Sequence, residues 1–401
     1  MAPEKLRIGI KVNLNQFILQ ILLVFFVGIT VGIERNIVSI IGKEEFGVAS
    51  FSILFSFIVS FGFVKALLNL FSGLWADRWG RKNLLILGWF VAIPVPLIII
   101  WAQSWFWITI ANIFLGINQG LTWTMTQTFK LDMASEGERG LAAGLNEWSG
   151  YLGVAVATIV TGYLASVFGL RPVPFLFGLG IIIIALFFSV VYVKETLPNV
   201  RDITSLQSMS KKQGIIDILK MVSWTNKSLF ACSQAGLVEK FVDVMVWVAF
   251  PLFFNSLSID KIGILVGSYG LSWGFLQLAV GPISDRVGRK WLIGAGMWIS
   301  GLGILLTTLG GGFNYWLFTS ILTGIGMALL YPTLIAAVSD LSHPTQRASS
   351  LGVYRMWRDS GYAIGAIIIG LFMDIYTLTM SFYLTSFLMF VSGLLIFIIM
   401  E

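Results

Sequence analysis

The stretch GLWADRWGRK at residues 73–82 returns 208 residues later as GPISDRVGRK at residues 281–290. Both copies keep the two glycines, the Asp-Arg pair and the final Arg-Lys. A long apolar run precedes and follows each copy, and such runs are typical of helices that cross a membrane. Each copy therefore predicts a tight charged hairpin between two membrane helices.

The composition indicates a protein with many membrane-spanning helices. Apolar residues make up 57% of the chain and charged residues only 11%. Many apolar runs exceed the roughly 20 residues that are needed to cross a bilayer. The net charge of +6 does not indicate nucleic acid, because the positions of the charges matter more than their sum. We expect a monomer surrounded by lipid, with no nucleic-acid partner.

Cysteine and histidine are too scarce for several classes of chemistry. The single cysteine, Cys232, excludes an internal disulfide and a cysteine-based metal cluster. The single histidine, His343, argues against histidine-ligated metal catalysis. The sequence also contains no G-x-x-x-x-G-K-S/T loop that would bind the phosphates of ATP. We therefore expect no enzyme activity, no metal and no cofactor.

Apolar runs predict twelve membrane helices, and lysine and arginine predict their orientation. With the N-terminus inside, 18 basic residues lie on cytoplasmic segments and 3 on outer loops. Both termini are then cytoplasmic in a plasma-membrane protein, and residues 1–15 lead into a retained first helix. The predicted helices are 15–41, 51–75, 83–101, 106–129, 140–168, 173–193, 228–254, 262–284, 291–310, 314–340, 348–374 and 379–400.

One long polar segment divides the chain into two halves. Residues 1–194 and residues 228–401 each hold six predicted helices, and residues 195–227 between them are rich in Ser, Lys and Gln. Residues 215–220 are amphipathic and predict a short helix on the membrane surface within this cytoplasmic linker. A freely disordered linker is the alternative.

The offset of 208 residues continues outside the two hairpins. A constant register over this length predicts two parallel halves related by an axis along the membrane normal, with a site between them near mid-depth. The symmetry is broken where Glu147 corresponds to Arg355. The matching pairs are Arg139 with Arg347, Gly144 with Gly352, Gly153 with Gly361, and Gly116 with Gly324.

The repeated stretch resembles G-x-L-x-D-R-x-G-R-K, the signature of the major facilitator superfamily of secondary transporters. Pro282 and Ile283 depart from it in the second copy. The resemblance implies an all-α integral membrane fold of twelve helices in two pseudo-symmetric six-helix bundles. It also implies that helices 3, 6, 9 and 12 face lipid.

The resemblance further implies that the two hairpins latch the cytoplasmic side during transport. Asp77 would be the residue whose bonds break and reform, with Arg139 and Arg347 as its partners. A charge cluster that only sets topology is the alternative. The gating residues are Gly73, Asp77, Arg78, Gly80, Arg81 and Lys82 in the first copy, and Gly281, Asp285, Arg286, Gly288, Arg289 and Lys290 in the second.

Ten ionisable residues lie well inside the predicted helices. Charged groups are costly in hydrocarbon, so we expect these residues to face the interior of the bundles. None of them lies in helices 3, 6, 9 or 12, and five are acidic and five basic. They are Glu34, Arg35, Lys65, Glu147, Glu239, Lys240, Asp243, Arg355, Arg358 and Asp359.

Four of these residues are the main candidates for contact with a solute or a proton. Counting about 1.5 Å per residue along a helix places Lys65, Glu147, Glu239 and Arg355 near mid-depth. Either glutamate is a candidate for the protonated group. Arg355 and Asp359 can pair within one helix, because they are four residues apart. Ion pairs between the halves are the alternative role for the interior charges.

Polar and aromatic residues inside the predicted helices limit the classes of transporter that fit, but they do not identify the solute. Asn118 and Gln119 are candidates to line the cavity, with helix–helix hydrogen bonding as the alternative. Their segment resembles R-x-x-Q-G of the superfamily but lacks its Arg, and helix 5 lacks the G-P-x-x-G-G pattern of drug/proton antiporters. We predict a secondary transporter of a small polar or charged solute, with proton coupling left open. A multidrug exporter is the alternative, favoured by the many interior aromatic residues.

Overall fold

The computed structural model describes residues 9–135, 138–196, 215–342 and 347–401, and these residues form helices and loops without a β-strand. Most of the predicted linker lies outside the described residues. The side chains of Asp77, Asp285 and Arg347 and the surroundings of Gly73 and Gly281 lie outside them as well, so the predicted bonds of Asp77 stay a prediction.

Long helices occupy all twelve positions where apolar runs predict them. Two short helices, Phe51–Leu54 and Ile215–Lys220, lie before α2 and before α7. The long helices are α1 (Leu14–Gly32, continuing as Val38–Glu44), α2 (Ser56–Trp79), α3 (Arg81–Ala92 with Pro94–Trp101), α4 (Trp105–Met133), α5 (Arg139–Phe168), α6 (Val173–Val191), α7 (Lys227–Val244 with Met245–Ala249 and Phe250–Phe253), α8 (Ile259–Val287), α9 (Arg289–Thr307), α10 (Phe313–Leu341), α11 (Arg347–Ile375) and α12 (Leu378–Ile399).

Eight of these helices are long and apolar enough to cross a membrane on their own. The other four are α2, α4, α7 and α11, and each carries buried polar or charged side chains such as Lys65, Asn118, Glu239 and Asp359. Such residues lower the mean hydropathy of a helix, and they are tolerated where the helix packs against others. The all-α membrane fold is confirmed, and a total of twelve spans is consistent with it.

The repeat offset of 208 residues reappears in the contacts between the halves. A Cβ added to Gly62 of α2 would lie 2.5 Å from the Tyr362 Cβ and 2.7 Å from the Ala363 backbone N of α11. A Cβ added to Gly270 of α8 would lie 3.0 Å from the Ala155 Cβ of α5. Gly62 corresponds to Gly270, and Ala155 corresponds to Ala363. The two halves therefore pack on each other through the same contact made twice.

The two halves are packed together on the side opposite the hairpins, here called the far side. A Cβ on Gly370 would lie 2.9 Å from the Ser52 Cα, and a Cβ on Gly162 would lie 3.0 Å from the Gly263 Cα. Towards the hairpin side, a Cβ on Gly274 of α8 would be no nearer than 3.7 Å to α5. The two halves are therefore packed more closely on the far side than at Gly274.

Two helices are irregular at equivalent depth. In α1, residues 33–37 interrupt the helix, and the Glu34 and Arg35 N–H groups bond to carbonyls three residues back. In α7, Met245–Ala249 is a π-helical turn. The offset of 208 places the end of the first irregularity beside the start of the second. Interruptions of this kind are frequent at functional sites in membrane transporters.

Candidate functional site

The ten ionisable residues predicted to lie in the interior have little or no exposed surface. Nine of the ten are buried, and only the Arg355 side chain is partly exposed, at 18%. Most of them come from α2, α5, α7 and α11, and α2 packs against α11 across the junction between the halves. The structure therefore brings most of the predicted site residues to one central region.

Glu147 of α5 receives hydrogen bonds from both halves. Its carboxylate accepts the Trp123 Nε1–H at 3.0 Å and the Asn146 amide at 3.1 Å from its own half. It accepts the Tyr331 hydroxyl at 2.7 Å from the other half, and the Arg355 Nη2 lies 3.9 Å away. Trp123 and Tyr331 are 208 residues apart, so equivalent donors converge on one carboxylate. Three neighbours donate hydrogen bonds to this carboxylate, and the fourth, Arg355, brings a positive charge close to it.

Asp359 of α11 forms the second ion pair between the halves. It is bonded to Arg358 at 2.8 Å, and the Lys65 Nζ of α2 lies 3.7 Å from its Oδ2. Asn69, one turn along α2 from Lys65, donates its amide to the same oxygen. The predicted Arg355–Asp359 pair is therefore corrected: Lys65 and Arg358 occupy Asp359, while Arg355 turns to Glu147.

A third cluster lies within the C-terminal half on α7. Lys240 Nζ is 2.9 Å from Asp243 and 3.2 Å from Glu239, and all three side chains are fully buried. The hydroxyls of Tyr269 and Tyr362 donate to Asp243 at 2.5 and 3.0 Å. Neither oxygen of Glu239 accepts a hydrogen bond of good geometry. Asp243 is thus fully engaged, whereas Glu239 is held by one charge contact.

Aromatic rings surround the two buried lysines. The Lys240 Nζ lies 5.0 Å from the Trp273 ring centroid, and the Lys65 Nζ lies 5.4 Å from that of Trp123. Tyr362 is 5.3 Å from both lysines. Ring faces attract cations at this range. The centre therefore offers charges, hydroxyls and flat apolar surfaces, which suits a solute with polar and apolar parts.

Glu34 and Arg35 are adjacent in sequence but point in different directions. Glu34 accepts the Asn112 amide at 2.8 Å and lines a cavity of about 10 Å³ within the N-terminal half. The Arg35 guanidinium lies between Phe61 of α2 and Trp247 of α7. Arg35 therefore belongs to the junction of the halves. Glu34 is corrected to a position inside one half.

Asn118 and Gln119 connect helices of the N-terminal half. The Asn118 amide donates to the Gly88 carbonyl of α3 at 2.9 Å. The Gln119 amide donates to the Val27 carbonyl and the Thr30 hydroxyl of α1, each at 3.0 Å. Both side chains are fully buried. The expectation that they line the cavity is corrected, because their N–H groups hold α1, α3 and α4 together.

The offset of 208 residues also relates the ion pairs that hold the two hairpins. Arg81 pairs with Asp132 of α4 at 3.1 Å, and Arg289 pairs with Asp340 of α10 at 3.1 Å. Both members of the second pair are 208 residues beyond the first. The offset alone could have identified the two aspartates. Each hairpin is thus fastened to the helix that ends beside it in the same half.

Glycine is required at the turn of each hairpin by backbone conformation. Gly80 has φ +90° and Gly288 has φ +97°, a region that side-chain-bearing residues rarely adopt. In the first copy, the backbone N–H groups of Arg81 and Lys82 donate to the Glu195 carboxylate at 3.1 and 3.0 Å. Glu195 thereby caps the start of α3, where a negative charge is favourable.

Three residues of the central region were not predicted from the sequence. Asn69 and Tyr362 lie one helical turn from Lys65 and Asp359, so helical spacing could have identified them. Tyr269 had no such signal, because it reaches Asp243 from a different helix. No group of three or more His, Cys, Asp or Glu that could hold a metal occurs in the described part of the chain.

Comparisons with known proteins agree with this architecture. The chain is 23% identical to multidrug resistance protein 2 of Bacillus subtilis over 79% of each protein. It is 30% identical to the hexuronate transporter of Bacillus subtilis over 32% of this chain and 31% of that protein. An uncharacterised transporter of Methanocaldococcus jannaschii is 29% identical, and that match spans only a third of its length.

A solved structure shows the same fold. The nucleoside transporter NupG superimposes with a TM-score of 0.75 over 96% of this chain and 99% of that chain, at 14% identity. The family profile described as Major Facilitator Superfamily matches residues 20–238 and 235–401, which is nearly the whole chain. The chain belongs to the Major Facilitator Superfamily and is a multi-pass membrane transport protein.

Proposed function

We propose that this transporter moves a small polar or charged solute by alternating access to the junction of its two halves. The observation that supports it most is a pair of loose ion pairs across the junction. Lys65 and Asp359 are 3.7 Å apart, and Arg355 and Glu147 are 3.9 Å apart. Charge-assisted hydrogen bonds are normally about 2.7–2.9 Å. Buried charges that are incompletely paired can exchange a protein partner for a solute group.

The packing of the halves supports an arrangement that opens on one side at a time. The halves touch on the far side through Gly370 and Ser52, and their packing is looser at Gly274 towards the hairpins. The excess of Lys and Arg on the hairpin side supports a cytoplasmic location for that side. In this proposal both termini are cytoplasmic in the plasma membrane, and the described state is closed on the outer side.

Glu239 is the residue we assign to proton coupling. Glu147 accepts hydrogen bonds from Trp123, Asn146 and Tyr331, whereas within the described part of the chain Glu239 has one ion-pair contact, with Lys240, and no well-formed hydrogen bond. Removing a proton from Glu239 would therefore need a new compensating contact. In proteoliposomes, Glu239→Gln should lose acceleration of uptake by a pH gradient while retaining solute exchange. Acceleration that is unchanged in this variant would exclude Glu239 as the proton carrier.

A panel of solutes tests the central site. Purified protein is heated with sugars, sugar acids, amino acids and nucleosides, and a binding solute raises the unfolding temperature. We expect Lys65→Ala and Arg355→Ala to lose the shift while the proteins without solute remain folded. Arg171→Ala is the control, because Arg171 pairs with Glu45 away from the centre. A shift that survives in both central variants contradicts the assignment.

Multidrug export is the second candidate, and one specific observation favours it. A relative that matches 79% of this chain is a multidrug resistance protein. The rings of Tyr151, Trp273 and Tyr331 also offer flat apolar surface near the centre. Efflux of a fluorescent cationic dye from intact cells separates the two functions. Dye export that requires Glu147 would favour the multidrug function. A lack of dye export would favour transport of a small polar solute.

A further inference from the structure

The interruption of α1 directs three consecutive side chains to three places. Glu34 turns to Asn112 of α4, and Asn36 donates its amide to the Thr158 carbonyl of α5 at 3.0 Å. Arg35, between them, turns to the junction with the other half. Consecutive side chains of a helical segment project in different directions, and of these three only Arg35 contacts a ring of the other half.

Arg35 is fully buried, yet none of its nitrogens has a hydrogen-bond partner. Its Nε, Nη1 and Nη2 atoms all lack an acceptor, and the side chain has no exposed surface. The guanidinium carbon lies 4.7 Å from the Phe61 ring centroid and 4.6 Å from that of Trp247. These ring contacts stabilise the cation but accept no N–H bond in its plane.

The nearby carboxylates do not hydrogen-bond to Arg35. Glu34 accepts the Asn112 amide through Oε2 while its Oε1 has no hydrogen-bond partner, and Asp243 is bonded to Lys240 and two tyrosine hydroxyls. Among the described residues, no carboxylate forms an ion pair with Arg35. A buried charge whose N–H groups have no acceptor is strongly unfavourable, so this guanidinium favours a ligand that supplies acceptors.

The two irregular segments meet at this guanidinium. Arg35 lies in the interruption of α1, and Trp247 lies in the π-helical turn of α7. Phe61 comes from the N-terminal half and Trp247 from the C-terminal half, so a ligand held by Arg35 would lie where the halves join. An arginine fork binds planar carboxylates through two parallel N–H bonds.

We propose that Arg35 is the binding subsite for a carboxylate, and that the transported solute is therefore a small organic anion. This inference rests on the proposed function and narrows its solute class. The carboxylate lies in the plane of the guanidinium, between Phe61 and Trp247, and accepts the N–H groups that have no acceptor in the protein. The remainder of the solute extends towards the charged and aromatic centre.

Acetate and acetamide test the subsite, because they have nearly the same shape and differ in charge. Purified protein is titrated with potassium acetate or acetamide at ionic strength kept constant with potassium chloride, and its unfolding temperature is recorded. We expect saturable stabilisation by acetate only. Arg35→Gln should weaken acetate binding at least about tenfold, as expected when a buried charge pair loses one member. Arg171→Gln should bind acetate as the unchanged protein does.

Tryptophan fluorescence provides a second measurement that does not depend on how Arg35→Gln folds. Acetate bound at Arg35 should alter the emission of Trp247, whose ring contacts the guanidinium. The Trp247→Phe variant should lose this emission change but should still be stabilised by acetate. Equal stabilisation by acetamide, unchanged acetate affinity in Arg35→Gln, or an unchanged emission response in Trp247→Phe would each overturn the proposal. Solutes that bind but are not transported would instead count against the proposed function alone.

Discussion

Asp374, at the far-side end of α11, links the two halves and gives the sharpest conformational prediction. Its carboxylate accepts the backbone N–H of Phe51 at 2.5 Å and that of Ser52 at 3.0 Å. The hydroxyls of Ser50 and Ser52 donate to it at 2.8 and 2.5 Å. Asp374 thus caps the short helix Phe51–Leu54 from the opposite half. We predict that Asp374→Ala opens the far side.

The magnitude follows from the kind of contact that is lost. A capping side chain is typically worth about 0.5–2 kcal/mol. Asp374 is exposed to solvent, so its four bonds are weaker than buried ones, and we expect a total of about 1–2 kcal/mol. This energy favours only the state in which the halves meet on the far side. Its loss should change the ratio of closed to open molecules by about 5- to 30-fold.

Distances between spin labels measure this change directly. Labels are placed at Gln103 and Gly311, which are exposed in far-side loops and are 208 residues apart, after Cys232→Ala removes the one native thiol. Asp374→Ala should enlarge the long-distance population. Asp260→Ala is the matched control, because Asp260 bonds to Ser258 within its own half. Identical distance distributions in the Asp374 variant and the unchanged protein would refute the reasoning.

Two further predictions concern the packing of the halves and the N-terminal segment. Gly62→Ala would place a Cβ 2.5 Å from α11 and should favour the far-side-open state in the same label experiment, whereas Gly352→Ala, with nothing within 4 Å, should have no effect. The Ser135 hydroxyl, the Ser135 N–H and the Ile10 N–H lower the pKa of Glu138 below its ordinary value. The hydrogen bond from the Ile10 N–H to the Glu138 carboxylate should therefore persist above the unfolded-state pKa of about 4.3. It should be lost as the pH falls through the lower pKa of the folded state. Hydrogen exchange at Ile10 should show this loss, and in Glu138→Gln exchange should be faster and independent of pH in this range after correction for intrinsic rates.

Most of the features of the fold that the sequence could predict follow from the internal repeat. The offset of 208 residues that relates the hairpins also relates the Gly62 and Gly270 contacts and the two Arg–Asp pairs of the hairpin side. These features depend on backbone position, which the register determines. The burial of most interior charges also follows from the cost of exposing them to lipid.

The partners of the interior side chains could not be predicted in the same way. Helical spacing permits an Arg355–Asp359 pair, but Lys65 from the other half and Arg358 compete for the carboxylate. Glu34 and Arg35 contact different neighbours, and the interruption of α1 in which they lie contains no proline that would have signalled it. Pairing across helices is decided by tertiary packing.

Reciprocal motion of the two ends is the most direct test of alternating access. A second label pair is placed at Trp79 and Val287, which are exposed on the hairpin side and are also 208 residues apart. Both pairs are measured in the unchanged protein and in Asp374→Ala. We predict that the variant lengthens the far-side distance and shortens the hairpin-side distance in the same molecules. A far side that opens while the hairpin side stays unchanged would contradict the account.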